Sequence, residues 1–132
     1  MSIKITVEEA LVANASCNNF LNKSFPIKTS FKLAQLKKEL SLIEDSFFEA
    51  RELAIKRYSK KDSDGEVVVE ELENGEKFIP LEPEQRDKCA KELKEVLMQT
   101  VEIPEIYFSI TNFGEDNISA EEIMGLLPFI KD

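Results

Sequence analysis

The sequence predicts a single domain, residues 1–132, of the α+β class and mostly helical. Three observations lead to this prediction. The chain has 132 residues, of which 42% are hydrophobic and 33% charged, as in one globular domain. Residues 28–58 contain no glycine or proline and carry apolar residues at helical spacing. Residues 3–5 and 101–110 alternate in polarity as β-strands do. We therefore expect a long central helix packed by two or three shorter helices, with a small antiparallel sheet and a hairpin.

The first helix is predicted to begin after Thr6. Thr6 and Glu9 have the spacing of a capping box, in which each side chain accepts a hydrogen bond from the backbone N–H of the other residue. Apolar residues then recur at helical intervals as far as Leu21, and Pro26 follows shortly afterwards. We expect this helix to end near Asn22.

The second helix carries the longest apolar pattern, from about Lys28 to Tyr58. Its apolar residues recur at intervals of three and four, which is the a/d pattern of a coiled coil. At 1.5 Å per residue this helix would be roughly 45 Å long. Two helices of ordinary length cannot cover all of it, and an exposed apolar stripe favours association. We therefore predict a homodimer whose interface contains Leu33, Leu36, Leu40, Ile43 and Phe47.

Charged residues beside this stripe favour an antiparallel arrangement of the two copies. The first half of the helix is basic and the next part is acidic, so parallel copies would place like charges side by side. The alternative is a monomer in which the hairpin and the terminal helix cover the stripe. The residues concerned are Lys28, Lys32, Lys37 and Lys38, followed by Glu44, Asp45, Glu49 and Glu52.

Charge is distributed unevenly along the chain. The net charge is −9, but residues 23–61 hold ten basic and five acidic residues, and residues 62–132 hold six basic and nineteen acidic ones. The simplest interpretation is that the acidic half folds over the basic helix, and the alternative is that one of these faces meets a partner. The overall acidity argues against nonspecific binding of nucleic acid. A candidate basic patch remains at the end of the second helix: Lys56, Arg57, Lys60 and Lys61.

Residues 62–82 are predicted to form an acidic hairpin or arm. Valines favour a strand before the two-residue turn signal Asn74-Gly75, and Phe78 and Ile79 follow it. The many carboxylates in this segment indicate that it faces solvent.

The beginning of this segment has much of the pattern of a calcium-binding loop. With Gly65 at position six, Asp64 takes position five and Glu71 takes position twelve. Lys60, however, occupies position one, where the metal ion needs an oxygen ligand. A valine run also follows, where a calcium hand would have a helix. We expect a turn that leads into a strand, and no calcium site.

The second half of the chain completes the predicted fold. Pro83 suits the first turn of a third helix. The strand 101–110 is the natural partner of the strand 3–5, and Pro104 within it indicates an edge or a break. Ser119 and Glu122 form a second capping box, which opens a short helix.

The residues needed for most catalytic and metal chemistry are missing. Histidine is absent, which removes the commonest general base and transition-metal ligand. No glycine-rich phosphate loop is present, and Cys17 and Cys89 are interpreted as reduced, half-buried apolar residues. We therefore predict no enzyme activity, no catalytic, cofactor-binding or metal-binding residues, and no cofactor. Glu8 and Glu9 interrupt the N-terminal apolar residues and no apolar run reaches membrane-spanning length, so we expect neither a signal peptide nor a membrane span.

Three stretches together resemble a group of small, mostly uncharacterised proteins of tailed bacteriophages and prophages. They are PIKTSFKLAQLKKEL at 26–40, FEARELAIKRY at 48–58 and ISAEEIMGLLPFI at 118–130. The resemblance implies a non-enzymatic phage accessory or assembly protein that binds a phage or host protein, in the bacterial cytoplasm or in the virion. It brings no catalytic residues. The alternative function is that of a nucleic-acid-associated regulator that uses the basic end of the second helix.

Overall fold

The computed structural model describes residues 2–113 and 119–131. Within them the chain forms four α-helices and two small antiparallel sheets, so the predicted fold class, α+β and mostly α, is confirmed. The helices are α1 (Val7–Leu21), α2 (Ile27–Tyr58), α3 (Arg86–Leu97) and α4 (Ala120–Met124). The strands are β1 (Ser2–Thr6), β2 (Glu70–Glu71), β3 (Lys77–Phe78) and β4 (Thr100–Pro104). None of the helices in these ranges is both long enough and apolar enough to cross a bilayer.

The described helices begin and end close to the predicted residues. The Thr6 Oγ1 atom accepts the Glu9 N–H at 3.1 Å, and Glu9 Oε1 accepts the Thr6 N–H at 2.9 Å. The capping box is therefore present, and α1 ends at Leu21 with Asn22 as its C-cap. At α4, Ser119 accepts the Glu122 N–H as expected. Ile118, the first residue of the third phage-like stretch, lies outside the described residues.

The predicted pairing of the two longer strands is confirmed. β1 and β4 are antiparallel, with Ile3 opposite Ile103. The second strand is shorter than predicted, since β4 ends at Pro104 and the chain then leaves the ladder. Proline has no N–H to donate, so it marks a strand edge. Further along, Phe108 pairs with Ile130 instead, as an isolated parallel bridge.

The chain divides into two compact units. Unit 1 comprises Met1–Ser46 and Met98–Asp132, and unit 2 comprises Phe47–Leu97. Helix α2 contributes residues to both units.

Unit 1 has a large apolar core. Helices α1 and α2, the β1–β4 sheet and the C-terminal segments all contribute to it. Aromatic rings form its centre, since Phe113 lies 5.0 Å from Phe20, 5.3 Å from Phe108 and 5.6 Å from Phe25 between ring centroids. The core also contains Ala10, Ala13, Cys17, Leu33, Leu36, Leu40, Ile103, Leu126 and Phe129.

This core changes the interpretation of the predicted dimer interface. Leu33, Leu36 and Leu40 are 0–1% exposed, because the other elements of unit 1 cover them. The half-buried Ile43 packs against the same core, and Phe47, in unit 2, is also half-buried. The three leucines therefore have no surface left for a second copy, and an interface built on them is wrong for this fold. Self-association stays a prediction, but it requires other residues.

Two of the charges assigned to that interface are also used within unit 1. Asn14 of α1 is 1% exposed. Its Oδ1 atom accepts a hydrogen bond from Lys37 Nζ at 2.8 Å, and its Nδ2 atom donates to Glu44 Oε2. A buried amide with both ends satisfied favours one register between α1 and α2.

Unit 2 contains a hairpin that is joined to the end of α2. Gly75 has φ +89°, which glycine adopts readily, and the Glu76 N–H donates to Asn74 Oδ1 at 3.0 Å. This turn connects β2 to β3, as predicted from Asn74-Gly75. The valine run contributes less strand than expected, because the Val67 pairing with Lys61 is an isolated bridge.

Candidate functional site

Unit 2 has an open groove between α2 and β3, which we call the Phe48–Phe78 groove. Phe48 and Ile55 lie seven residues apart, which is two helical turns, so both point from the same face of α2. Phe78 and the following Ile79 form the other wall. The groove has a volume of about 660 Å³.

Backbone hydrogen bonds hold the second wall beside the helix. Lys60 N–H donates to the Pro80 carbonyl at 2.9 Å, and Glu82 N–H donates to the Tyr58 carbonyl at 3.1 Å. The returning strand of the hairpin is thereby fixed to the residues at the end of α2, which leaves Phe78 beside Ile55.

The groove exposes large apolar side chains to solvent. Phe48 remains 47% exposed and Phe78 40% exposed, although both are phenylalanines. Grouped exposed aromatic residues with charged neighbours are typical of protein-binding surfaces. The groove is therefore suited to receive an apolar group of another molecule.

The charged residues of the groove leave a local positive charge. Glu52 lines it but forms a salt bridge with Lys56 at 3.2 Å. Arg51 and Lys77 also line it, and neither forms a salt bridge with any of the residues that the structure describes. Glu71 lies opposite Lys77 in the β2–β3 ladder without reaching salt-bridge distance. The rim of the groove is thus suited to carboxylates.

The candidate basic patch is largely engaged by neighbouring groups. Lys56 pairs with Glu52, and Arg57 lies 3.7 Å from Glu92. Lys61 Nζ donates to the Lys56 carbonyl and, at 2.6 Å, to the Ser59 hydroxyl. Lys61 therefore satisfies backbone at the end of α2, which is a structural role. Lys60 is half-buried, and its backbone forms hydrogen bonds with Val68 and Pro80.

Glu92 also contacts a tyrosine at the same place. The Tyr58 hydroxyl donates to Glu92 Oε1 at 2.6 Å, and this hydrogen bond raises the pKa of Tyr58 above its ordinary value of 10.0, with desolvation as the second cause. The arrangement joins α3 to the end of α2 inside unit 2.

The calcium-like segment is a turn held by its own carboxylate. Asp62 Oδ1 accepts the N–H groups of Asp64 and Glu66, each at 2.9 Å. Gly65 has φ +81°, as such turns require. Lys60, at the first ligand position of the calcium pattern, pairs through its backbone with Val68 and Pro80. Among the described residues no cluster of acidic or cysteine side chains has the arrangement of a metal site.

Both cysteines are buried, Cys17 in the apolar core of unit 1 and Cys89 in unit 2. Burial raises the pKa of the Cys17 thiol from 9.0 to about 12, and the Lys37 ammonium offsets only part of this effect. The Cys17 thiol thus stays protonated at neutral pH, whereas a nucleophilic cysteine must ionise.

A further apolar surface lies on unit 1, and we call it the α1–α4 face. Val12 of α1 and Met124 of α4 border a shallow pocket of about 240 Å³, together with Pro128. Met124 is 64% exposed. Two carboxylates, Glu8 and Glu9, line the same pocket.

Close helix packing forms this face. A Cβ atom at Gly125 would lie 2.9 Å from Ser16 Cβ and 3.3 Å from the Val12 carbonyl oxygen, and closer still to Ser16 Oγ. Only glycine therefore allows the end of α4 to approach α1 so closely.

A salt bridge joins the end of α1 to α4 next to a polar cleft of about 460 Å³. Lys23 Nζ lies 2.7 Å from Glu122 Oε2, and both side chains are about three-quarters buried. The hydrogen bond from Lys23 is the largest cause that lowers the pKa of the Glu122 carboxyl below its ordinary 4.5.

The sequence pattern did not identify Phe48 or Ile55 as site residues. The signal that identifies the helical wall is the spacing of Phe48, Arg51, Glu52 and Ile55, which are i, i+3, i+4 and i+7 on one face. The opposite wall follows only from the way in which the hairpin folds back.

Comparison of the chain with protein-family models, with curated proteins and with solved structures gave no match.

Proposed function

We propose that the chain is a non-enzymatic phage accessory or assembly protein that binds another protein through the Phe48–Phe78 groove. The observation that carries the binding role is the exposure of two phenylalanines in a groove lined by Arg51 and Lys77, two cations that form no salt bridge with a described residue. The phage setting is supported by the resemblance of three stretches of the sequence, and it places the protein in the bacterial cytoplasm or in the virion.

The chemistry of the groove specifies its partner segment. Apolar walls favour an apolar anchor, and buried aromatic contacts carry much of the energy of protein interfaces. The two cations favour carboxylates beside that anchor, which steer association and select among partners. The proposed ligand is therefore a segment of a partner protein with an apolar side chain between acidic residues.

A peptide-binding measurement tests this proposal. The probes are two labelled peptides with one phenylalanine each, flanked by glutamates in the first and by lysines in the second. We expect fluorescence anisotropy to show saturable binding of the glutamate peptide only. Phe78→Ser should abolish it, and the double variant Arg51→Glu, Lys77→Glu should reverse the preference. Leu21→Ser, which changes an exposed leucine of unit 1, is the matched control. Equal binding of both peptides, or none, contradicts the proposal.

The phage setting has a separate test. Mass spectrometry of purified virions should detect the chain if it belongs to the particle. Neighbouring genes for tail proteins would support an assembly role, and neighbouring early genes would support action on the host. A gene that lies outside any phage or prophage region would contradict the setting and leave the binding role intact.

The alternative, a nucleic-acid-associated regulator, has less support. Lys56, Arg57 and Lys61 already interact with groups of the chain itself. Retention on DNA that falls steeply with salt, and that is lost in Arg57→Ala, would favour the alternative over protein binding.

A further inference from the structure

We propose that the Phe48–Phe78 groove of one copy receives the α1–α4 face of a second copy. This inference rests on the proposed function, because it names the partner segment for the same groove. The proposed contact is between two copies of the chain and not within one copy.

The first support is that the α1–α4 face has the chemistry that the groove requires. Met124 protrudes from α4 and is 64% exposed, so it offers an apolar anchor. Methionine adapts its shape to irregular apolar surfaces, which suits an open groove. Val12 adds a second exposed apolar side chain beside it.

The second support is charge complementarity. Glu8 lines the pocket of the α1–α4 face and forms no salt bridge with a described residue. Glu9 carries a second negative charge there, although one of its oxygens caps α1. Arg51 and Lys77 supply two cations at the groove, and neither forms a salt bridge within the described part of the chain. Carboxylates beside one apolar surface thus correspond to cations beside the other.

The contact joins unlike surfaces, and two copies can form it in two ways. It can occur twice about a two-fold axis, with each groove receiving the face of the other copy, or it can occur once, head to tail. A head-to-tail pair keeps one unused face on one copy and one unused groove on the other, so association then continues into a closed ring or an open chain.

Two variants test the contact between the groove and the α1–α4 face. Phe78→Asp disables the groove, and Met124→Asp disables the α1–α4 face. Both residues are exposed, so the fold should survive, and circular dichroism checks this. Light scattering after size exclusion then measures mass over a range of concentrations. Wild-type mass should rise with concentration to twice 15.1 kDa for a two-fold pair, or beyond it for a ring or open chain, whereas each variant alone should remain at 15.1 kDa.

Mixing the two variants gives the decisive result. The Met124→Asp copy retains a working groove and the Phe78→Asp copy retains a working face, so an equimolar mixture should form a dimer of twice 15.1 kDa and nothing larger. The double variant in one chain should fail to associate with itself. Added salt should weaken the mixed dimer, because exposed charges flank the contact.

Leu42→Ser is the control for pairing through the outer side of α2, since Leu42 is an exposed leucine that lies outside both surfaces. It should leave association unchanged, and loss of association in this variant would overturn the proposal in favour of helix pairing. A wild-type chain that stays at 15.1 kDa, or a mixture that behaves as its separate components, would also overturn it. If the glutamate peptide still binds the groove in that case, the proposed function stands and only the identity of the partner is wrong.

Discussion

At the scale of single residues, α2 shows how two leucines on opposite sides of the same helix acquire different roles. Leu40 is fully buried in the core of unit 1, whereas Leu42 is 59% exposed. The two positions differ by two residues, or about 200° around the helix axis. The contrast provides a matched pair for measuring the contribution of the core.

Leu40→Ala should lower the free energy of unfolding by about 2–5 kcal/mol, because the truncation removes buried methyl groups and leaves a cavity. Leu42→Ala should change it by no more than about 0.5 kcal/mol, as exposed substitutions usually do. Chemical denaturation of both variants measures the difference. Equal effects at the two positions would mean that Leu40 is not part of a packed core.

Gly125 gives a second prediction at this scale. Gly125→Ala should destabilise the chain by about 1–3 kcal/mol, because the new Cβ would overlap Ser16. Ser16→Ala removes the nearest atom, so the double variant should lose less stability than the sum of the single variants. Gly75→Ala is the control, since its cost comes from the positive φ and Ser16→Ala should not relieve it. Strict additivity for Gly125 and Ser16 would contradict the close approach.

At the scale of secondary-structure elements, local signals were sufficient to place the helices and the turn. The Thr6–Glu9 capping box and the Asn74-Gly75 turn involve residues that are close in sequence, so their interactions are encoded locally. The heptad pattern of α2 predicted the helix but not the molecule that covers it. A stripe such as Leu33, Leu36 and Leu40 is the same whether its cover comes from a second copy or, as here, from α1 and the β1–β4 sheet.

The candidate groove could not be predicted from the sequence either, because it depends on contacts between residues that are distant along the chain. Phe48 and Phe78 are thirty positions apart, and they meet only because the hairpin folds back and is hydrogen-bonded to the end of α2. The α1–α4 face likewise depends on the approach of Gly125 to Ser16 across the chain. Non-local contacts of this kind leave no periodic signal.

The link between α1 and α4 predicts a dependence of stability on pH. The folded state lowers the pKa of Glu122 through Lys23, so ionised Glu122 favours folding above its ordinary pKa of 4.5. This contribution disappears as pH falls through the lower folded value. The melting temperature of Glu122→Gln should therefore lie below that of the wild type at pH 7, and the difference between the two melting temperatures should narrow below pH 4.5.

Glu121→Gln is the control for this prediction. Glu121 is an exposed neighbour that forms no salt bridge with the described residues. Its melting curve should follow the wild type across the whole pH range. If the difference in melting temperature between the wild type and Glu122→Gln is constant from pH 7 to pH 3, the ionisation of Glu122 is not coupled to folding.

At the scale of the whole molecule, the two units differ in the amount of apolar surface that they bury. Unit 1 contains all the members of the main core cluster. Unit 2 has few buried apolar residues, chiefly Ala54 and Cys89, while Phe48, Leu53 and Phe78 remain exposed. Because apolar burial is the main favourable term in folding, local opening should require less free energy in unit 2 than in unit 1.

Native-state hydrogen exchange tests this difference. Amides in the middle of α1, around Ala13 and Cys17, should exchange only through global unfolding, whereas amides of α3 around Cys89 should exchange through a smaller opening. Occupation of the groove should then slow exchange in β3 and α3, because a ligand that binds only the closed form stabilises it. The Phe78→Ser variant should lose this protection when the glutamate peptide is added, while its α1 amides remain unchanged. If α1 and α3 exchange with one common free energy, unit 2 opens only together with unit 1, and ligand binding at the groove should protect both helices equally.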